Sequence, residues 1–331
     1  MKVSNIDFEK DLQEAAIAQL ERYGVKYKES DVLEDLIYRL FEFWRKYIPP
    51  QPYCVVYAKE LMEKLVDLPK TKVEAMQKLK EWLEQGIDVN CFQSRSLMGG
   101  SRDYLNMLYG MTHLHLSALK DDAAPKIKKN GFSKPSDYIL IVKVKGGTVY
   151  FIDALKHPAA FEGNIIQPGS SEKWLAEYFV ETVNNNWPEL LIPAIAEAAK
   201  MCDGEGNNIV LDDAARRELV LSRINTGVQL DKGVFFPDGV TGAGTSAAVT
   251  IQVNKIINKL KIAERCYASY APQIINAFSE KAASKGKTID KIELHYAYIQ
   301  IAKKYMIVDY VSGMLFDFEE GRLYWPASQT N

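Results

Sequence analysis

The sequence predicts an α+β fold: a helical N-terminal part, a small central antiparallel sheet module and a C-terminal helix and hairpin module. Three observations predict it. Leu33, Leu36, Ile37, Leu40, Phe41 and Trp44 recur at three and four, the period of a helix buried on one face. Two β-rich runs, 138–145 and 148–157, flank Gly146-Gly147, the residue pair of a tight primed hairpin turn. The 331 residues are 47% hydrophobic and 25% charged, an ordinary globular composition that excludes collagen, a disordered tail and a disulfide scaffold. At roughly 150 residues per domain several modules are expected. They are read as 1–100, 101–202 and 207–331, with the polar stretch from Asp203 to Asn208 as the boundary.

Residues 7–100 read as helical. Pro49, Pro50 and Pro52 end the helix that contains Trp44, because proline cannot donate and disfavours helix before it. Helices are expected over 56–67 and 70–85. Thr71 with Glu74 suggests a capping box and Gly86 a C-terminal stop. Phe41, Trp44 and Tyr47 are expected to pack the N-terminal core. Residues 111–118 alternate as a strand does, and the glycine-turned hairpin comes after them. Helices are expected at 171–184 and 188–200, the second started by Pro188. A helix over 211–222, a hairpin over 227–237, a Gly-rich loop over 238–245 and a helix over 246–265 come next. Further helices and a terminal hairpin from Met314 to Trp325 complete the chain.

Charge is nearly balanced, 41 Lys and Arg against 43 Asp and Glu, so no global field for nucleic acid or membrane is expected. No apolar run approaches the ~18 residues of a membrane span, and the acidic, amphipathic start is unlike a secretory signal. The four cysteines, Cys54, Cys91, Cys202 and Cys266, have no C-x-x-C spacing, which argues against zinc and fits a reducing compartment. The expectation is a cytoplasmic protein with no membrane partner and no cofactor.

Three of the four histidines, His113, His115 and His157, fall in the central segment. Residues two apart on a strand share a face. His113 and His115 therefore point together, opposite Leu114 and Leu116; if the leucines face the core, both imidazoles sit on an accessible sheet face. A regular two-residue turn would set Val142 against Phe151 and Leu140 against Asp153. Asp153 and His157 would then share the face of Val149 and Phe151. A carboxylate there needs a His, Lys or backbone donor. Acid–base catalysis, metal ligation, phosphate binding and plain hydrogen bonding in the sheet all fit these residues.

Between 120 and 157, eight lysines stand against four acids. Lys143 and Lys145 share a hairpin face with Tyr150 between them on the partner strand, and Lys156 lies at its end. Basic side chains interleaved with an aromatic suit a nucleic-acid backbone and a stacked base; a solvated face is the alternative. In the Gly-rich loop, Gly239, Gly242 and Gly244 precede Thr245, Ser246 and a helix. Backbone amides there could hold a phosphate, or Thr245 and Ser246 could simply cap the helix. It is neither a P-loop nor a dinucleotide fingerprint. His295, beside Tyr296 and Tyr298, reads as structural.

The order of these parts resembles the RelE/HigB-like bacterial toxin core. A loop with Arg95 and Arg102, a strand YGMTHLHL, and a hairpin closing on TVYFIDALKHPAAF carry the resemblance. The strand's expected arginines are histidines here. The resemblance is confined to this central segment and implies metal-independent mRNA cleavage. His113, His115, His157, Lys143 and Arg102 would line the RNA site. The segments around Asp103–Leu116 and Asn184–Leu191 also resemble a bacterial protein group to which we assign no function. The leading expectation is a nucleic-acid-directed protein, a ribonuclease of toxin or defence type. The alternatives are a non-catalytic interaction protein of a mobile-element or defence system, with a protein partner, and a metal-dependent hydrolase.

Overall fold

The structure is a computed structural model that describes residues 2–4, 6–94, 97–98, 103–117, 132–133, 136–156, 177–191, 205–207, 211–230, 233–284, 291–299, 304–310, 314–317 and 322–324. In chain order it has β1 (Lys2–Ser4), α1 (Phe8–Tyr23), α2 (Leu33–Lys46), β2 (Cys54–Tyr57), α3 (Lys59–Lys64), α4 (Lys70–Gln85) and α5 (Tyr104–Tyr109). Then come β3 (Met111–His115), β4 (Tyr138–Lys145), β5 (Thr148–Lys156), α6 (Glu177–Asn186), α7 (Asp213–Leu221), β6 (Val228–Leu230) and β7 (Gly233–Phe235). The last elements are α8 (Ala247–Ala283), β8 (Lys291–Ile299), β9 (Lys304–Asp309), β10 (Leu315–Asp317) and β11 (Arg322–Tyr324). The class is α+β, as the sequence predicts.

Two compact units form: Phe41–Thr250, and a discontinuous one that joins Met1–Leu40 to Ile251–Asn331. These bounds differ from a division at 100 and 203. The reason is strand pairing across long stretches of sequence. β2, from the helical N-terminal part, pairs in parallel with β5, and β1 pairs in parallel with β8.

In the Phe41–Thr250 unit the sheet order is β2-β5-β4-β3, so the sheet is mixed and not purely antiparallel. Both faces are covered, which explains the unbroken apolar run of β4. Leu140 and Val142 pack with Leu61, Ala75, Met76, Leu79 and Phe92 on one face. Ile139 and Ile141 pack with Leu105, Leu108, Phe179, Val180, Val183 and Val220 on the other. Gly146 and Gly147 have φ of 60° and 82°, as a primed turn requires. Gly86 ends α4 at φ 75°, and a Cβ there would come within 2.9 Å of the Gln51 and Pro52 backbone.

Several expectations are corrected. The helix expected over 56–67 is shorter, α3, because Val56 and Tyr57 are claimed by the sheet. Pro69, not Thr71, precedes α4, with no side-chain cap. Trp44 is 41% exposed and Phe43 is buried in its place. Trp44 stacks edge-on against Phe41, with ring centroids 5.5 Å apart. Pro188–Leu190 is a short 3-10 turn; 192–200 and 171–176 lie outside the described residues.

In the discontinuous unit the sheet order is β1-β8-β9-β10-β11. The helix expected to stop near 265 runs on to Ala283 through Pro272. Strands β8 and β9 then stand in place of further helices. The terminal hairpin is present as β10 and β11. α1 buries Phe8, Leu12, Ala16 and Leu20, one residue per turn. Phe8 meets the rings of Tyr267 and Tyr296 at centroid distances of 5.7 and 5.1 Å.

Candidate functional site

Strand β3 is aimed by the helix before it. Asp103 caps α5 by accepting the Asn106 N–H at 3.1 Å. Gly110 ends the helix at φ 61°. A Cβ on Gly110 would lie 3.3 Å from Lys143 Nζ, which donates to the Tyr109 carbonyl at 2.6 Å. The glycine thus makes room for a cation at the negative end of the helix.

From there β3 runs antiparallel to β4, with His113 opposite Ile141 and His115 opposite Ile139. The imidazoles share a face as the spacing requires. Their centroids lie 5.6 Å apart and the rings are nearly perpendicular. Leu114 and Leu116 enter the opposite core as expected. The accessible histidine face is corrected: His113 is 9% and His115 6% exposed, because α5 to α7 and the β6–β7 hairpin contribute to the core on that side. His115 Nδ1 accepts the Ser136 N–H at 3.3 Å. In the neutral ring the proton therefore sits on Nε2.

The carboxylate register is also corrected. Val142 opposes Phe151, but Ile141 opposes Asp153 and Leu140 opposes Ala154. Ile152 is the extra residue of a β-bulge, and such an insertion moves the residues after it to the opposite face. Asp153 consequently leaves the side of Val149 and Phe151 and joins the row His113–Ile141–Asp153. It is 2% exposed. Lys64 Nζ donates to its two oxygens at 2.8 and 3.0 Å. Burial holds the Asp153 carboxyl above the usual carboxylate range, against the opposing pull of Lys64. At the more exposed Lys64, burial opposes the charge, but the bond and attraction to Asp153 outweigh it and raise the ammonium's pKa. The expected lysine-type partner is present, supplied by α3. His157 and Arg102 lie outside the described residues. Among the described residues, no group of three or more His, Cys, Asp or Glu side chains is placed to hold a metal ion.

The basic hairpin face is divided: Lys143 and Tyr150 are half-buried, while Lys145 and Lys156 are exposed. Tyr150, the register partner of Lys143, packs edge-on against Trp187 at 4.9 Å. Burial pushes the Lys143 amine down to about 8; Asp238 opposes this, while Lys145 and Arg45 add to it. Lys145 donates to the Glu189 carbonyl at 3.2 Å and stays exposed, as does Lys156.

The Gly-rich loop is knit to itself. The amides of Thr241, Gly244 and Ala247 donate to the carbonyls of Thr245, Thr241 and Gly239. The Thr245 amide donates to Thr241 Oγ1 at 3.2 Å, and Val240 exchanges two bonds with the Asn225 side chain. Ser246 Oγ accepts the Val249 N–H at 3.4 Å, the geometry of a cap on α8. Gly239 and Gly244 take positive φ, whereas Gly242 stands in open space.

Arg45, Asp238, Arg223 and Lys64 are not legible in the sequence as site residues. The Arg45 guanidinium donates to Ser246 Oγ, the Asn106 carbonyl and Asp238 Oδ2. Arg223 adopts φ 68°, rare for a side chain of its size, and lies against Gly244, where a Cβ would come within 2.3 Å of its guanidinium. Single charged residues, on helices as Arg45 and Lys64 are or in turns and loops as Arg223 and Asp238 are, carry no sequence signal that separates such roles from a solvated face. Comparison of the chain with protein-family models, with curated proteins and with solved structures gave no match.

Proposed function

We propose that the chain is a nucleic-acid-directed protein that uses His113 and His115 as a metal-independent acid–base pair on a phosphodiester. The observation that supports this reading is the pair itself: two imidazoles on one sheet face, 5.6 Å apart between centroids. A base and an acid must reach different oxygens of one phosphate, each at about 3 Å. Rings at that spacing meet the requirement. Two imidazoles set side by side within a largely apolar core also invite a functional reading. Lys143, Tyr150 and Asp153 are held by the Tyr109 carbonyl, Trp187 and Lys64, and the reading assigns them no step.

The test is RNA cleavage at low salt in the presence of chelator. Wild type is expected to cleave. His115→Asn, which can still accept the Ser136 amide, is expected to lose at least a hundredfold in rate while remaining folded at the assay temperature. Absence of both binding and cleavage in the wild type overturns the reading. A second reading, a non-catalytic interaction protein, is favoured by the burial of His113 and His115 and by the exposure of Leu221, Ile224 and Phe236. RNA binding without cleavage, or no RNA binding with a stable fold, would support it.

A further inference from the structure

Arg223 stands where glycine is the easiest residue to place. It follows α7 and Ser222 with φ at 68°. Its amide donates to the Val220 carbonyl at 3.0 Å, and the Ile224 amide donates to the Leu219 carbonyl at 2.8 Å. This pair of bonds is the helix ending whose left-handed residue is usually glycine. An arginine here strains its backbone, a cost that draws attention to its side chain. Three contacts fix the guanidinium. It lies against Gly244, where a Cβ would come within 2.3 Å of Cζ and Nη1. Nη1 donates to the Tyr104 hydroxyl at 3.3 Å. Asn225, two residues on, exchanges bonds of 2.9 and 2.7 Å with the Val240 backbone, which ties the turn to the loop that holds Gly244. A guanidinium carries five N–H donors, and among the described residues the Tyr104 hydroxyl is its one acceptor. Among them it also has no ion pair. The Tyr104 hydroxyl accepts from Nη1, so its own proton is left to donate. Both residues are half-buried, which leaves access from solvent.

We propose that Arg223 and Tyr104 form a binding site for a phosphoryl group, with Gly244 as the gap that seats the guanidinium. Parallel N–H groups along a guanidinium edge match two oxygens of a carboxylate or a phosphate. The Tyr104 hydroxyl adds a third donor beside them. A carboxylate has two oxygens, both taken by the edge; a phosphoryl group has a third to accept the phenol proton. The ligand displaces no acid from Arg223, and its negative charge compensates the guanidinium. Thr241, Gly244, Thr245 and Ala247 spend their amides within the loop, so the loop positions Arg223 and leaves the contact to side chains. A nucleic-acid backbone and a free phosphate present this same chemistry. The site does not rest on the His113–His115 proposal.

The experiment titrates the full chain at low salt with inorganic phosphate, read by calorimetry, and with a short fluorescent single-stranded RNA, read by anisotropy. Saturable binding is expected. Arg223→Gly suits the left-handed turn, so it should stay folded by circular dichroism and weaken binding about tenfold or more. Arg223→Lys keeps the charge, loses the two-pronged edge and should weaken binding about as much. Tyr104→Phe should weaken it by about threefold to tenfold. His115→Asn should bind as the wild type does, which separates this site from the acid–base pair. RNA that competes with phosphate and loses affinity in Arg223→Gly assigns the site to a nucleic-acid backbone. Phosphate binding that RNA leaves untouched assigns it to a free phosphate or a phosphomonoester. No saturable binding of either probe overturns the proposal. So does equal affinity in the wild type and Arg223→Gly, or a loss confined to His115→Asn.

Discussion

The two histidine sites differ in what surrounds them. His113 and His115 stand in a sheet covered on both faces, with isoleucines as their cross-strand neighbours. His295 stands half-exposed, with a carboxylate at each ring nitrogen and a tyrosine beneath. The same side chain is enclosed by packing in the first site and held by charge in the second. Burial makes the first pair sensitive to any change in volume. Exposure leaves the second free to exchange protons, water or ions with solvent.

Four perturbations sharpen this contrast, beginning with the largest. Lys64→Met leaves Asp153 buried without its cation, in the same cross-strand row as His113. Removing one partner of a buried pair costs ~3–5 kcal/mol, and the partial exposure of Lys64 reduces this to ~2–3. Urea unfolding at pH 7 checks it. The Asp153 carboxyl has a folded pKa above its unfolded one. The native state therefore takes up the proton first as pH falls, and stability on this account rises toward the ordinary carboxylate range. The rise should be steeper in the variant.

Next, His113→Ala should cost ~2 kcal/mol through the cavity it leaves, whereas His295→Ala should cost ~1 kcal/mol or less. Equal losses in denaturant midpoints would contradict the contrast. Third, Lys143 has a folded pKa of about 8, below its unfolded value. The unfolded state binds more protons above that pH, so stability on this account rises from about pH 8 toward the ordinary lysine range. Lys143→Met should flatten the difference in melting temperature measured at pH 8 and 10. Last, Tyr310→Ala removes a stacked but exposed ring and should cost only ~0.5 kcal/mol, read by thermal unfolding.

The legible part of the sequence is local. The Gly146-Gly147 turn, the α2 periodicity, the Gly86 stop of α4 and the shared face of His113 and His115 all depend on residues a few positions apart. The bulge at Ile152 does not. Nothing in the run of β5 marks which residue is to be the extra one, and that choice moves Asp153 to the other core. β2 is hidden because four residues are too few to establish a period beside strong helical patterns. β8 is different: Ile292, Leu294, Tyr296 and Tyr298 alternate, a strand signal present in the sequence and overridden by the expectation of more helices. The candidate site is legible in its histidine pair but not in its burial, which comes from α5 to α7 and the β6–β7 hairpin.

The parallel pairing of β1 with β8 has a consequence for biosynthesis. α1 reaches the ribosome exit early, yet the strand it packs against starts only at Lys291. At ~5–20 residues per second, the apolar stripe of Phe8, Leu12, Ala16 and Leu20 waits on the order of tens of seconds for its partner. The Phe41–Thr250 unit can close in that interval. A nascent chain halted before β8 would therefore expose that stripe to chaperones and proteases while its His113–His115 strand was already enclosed.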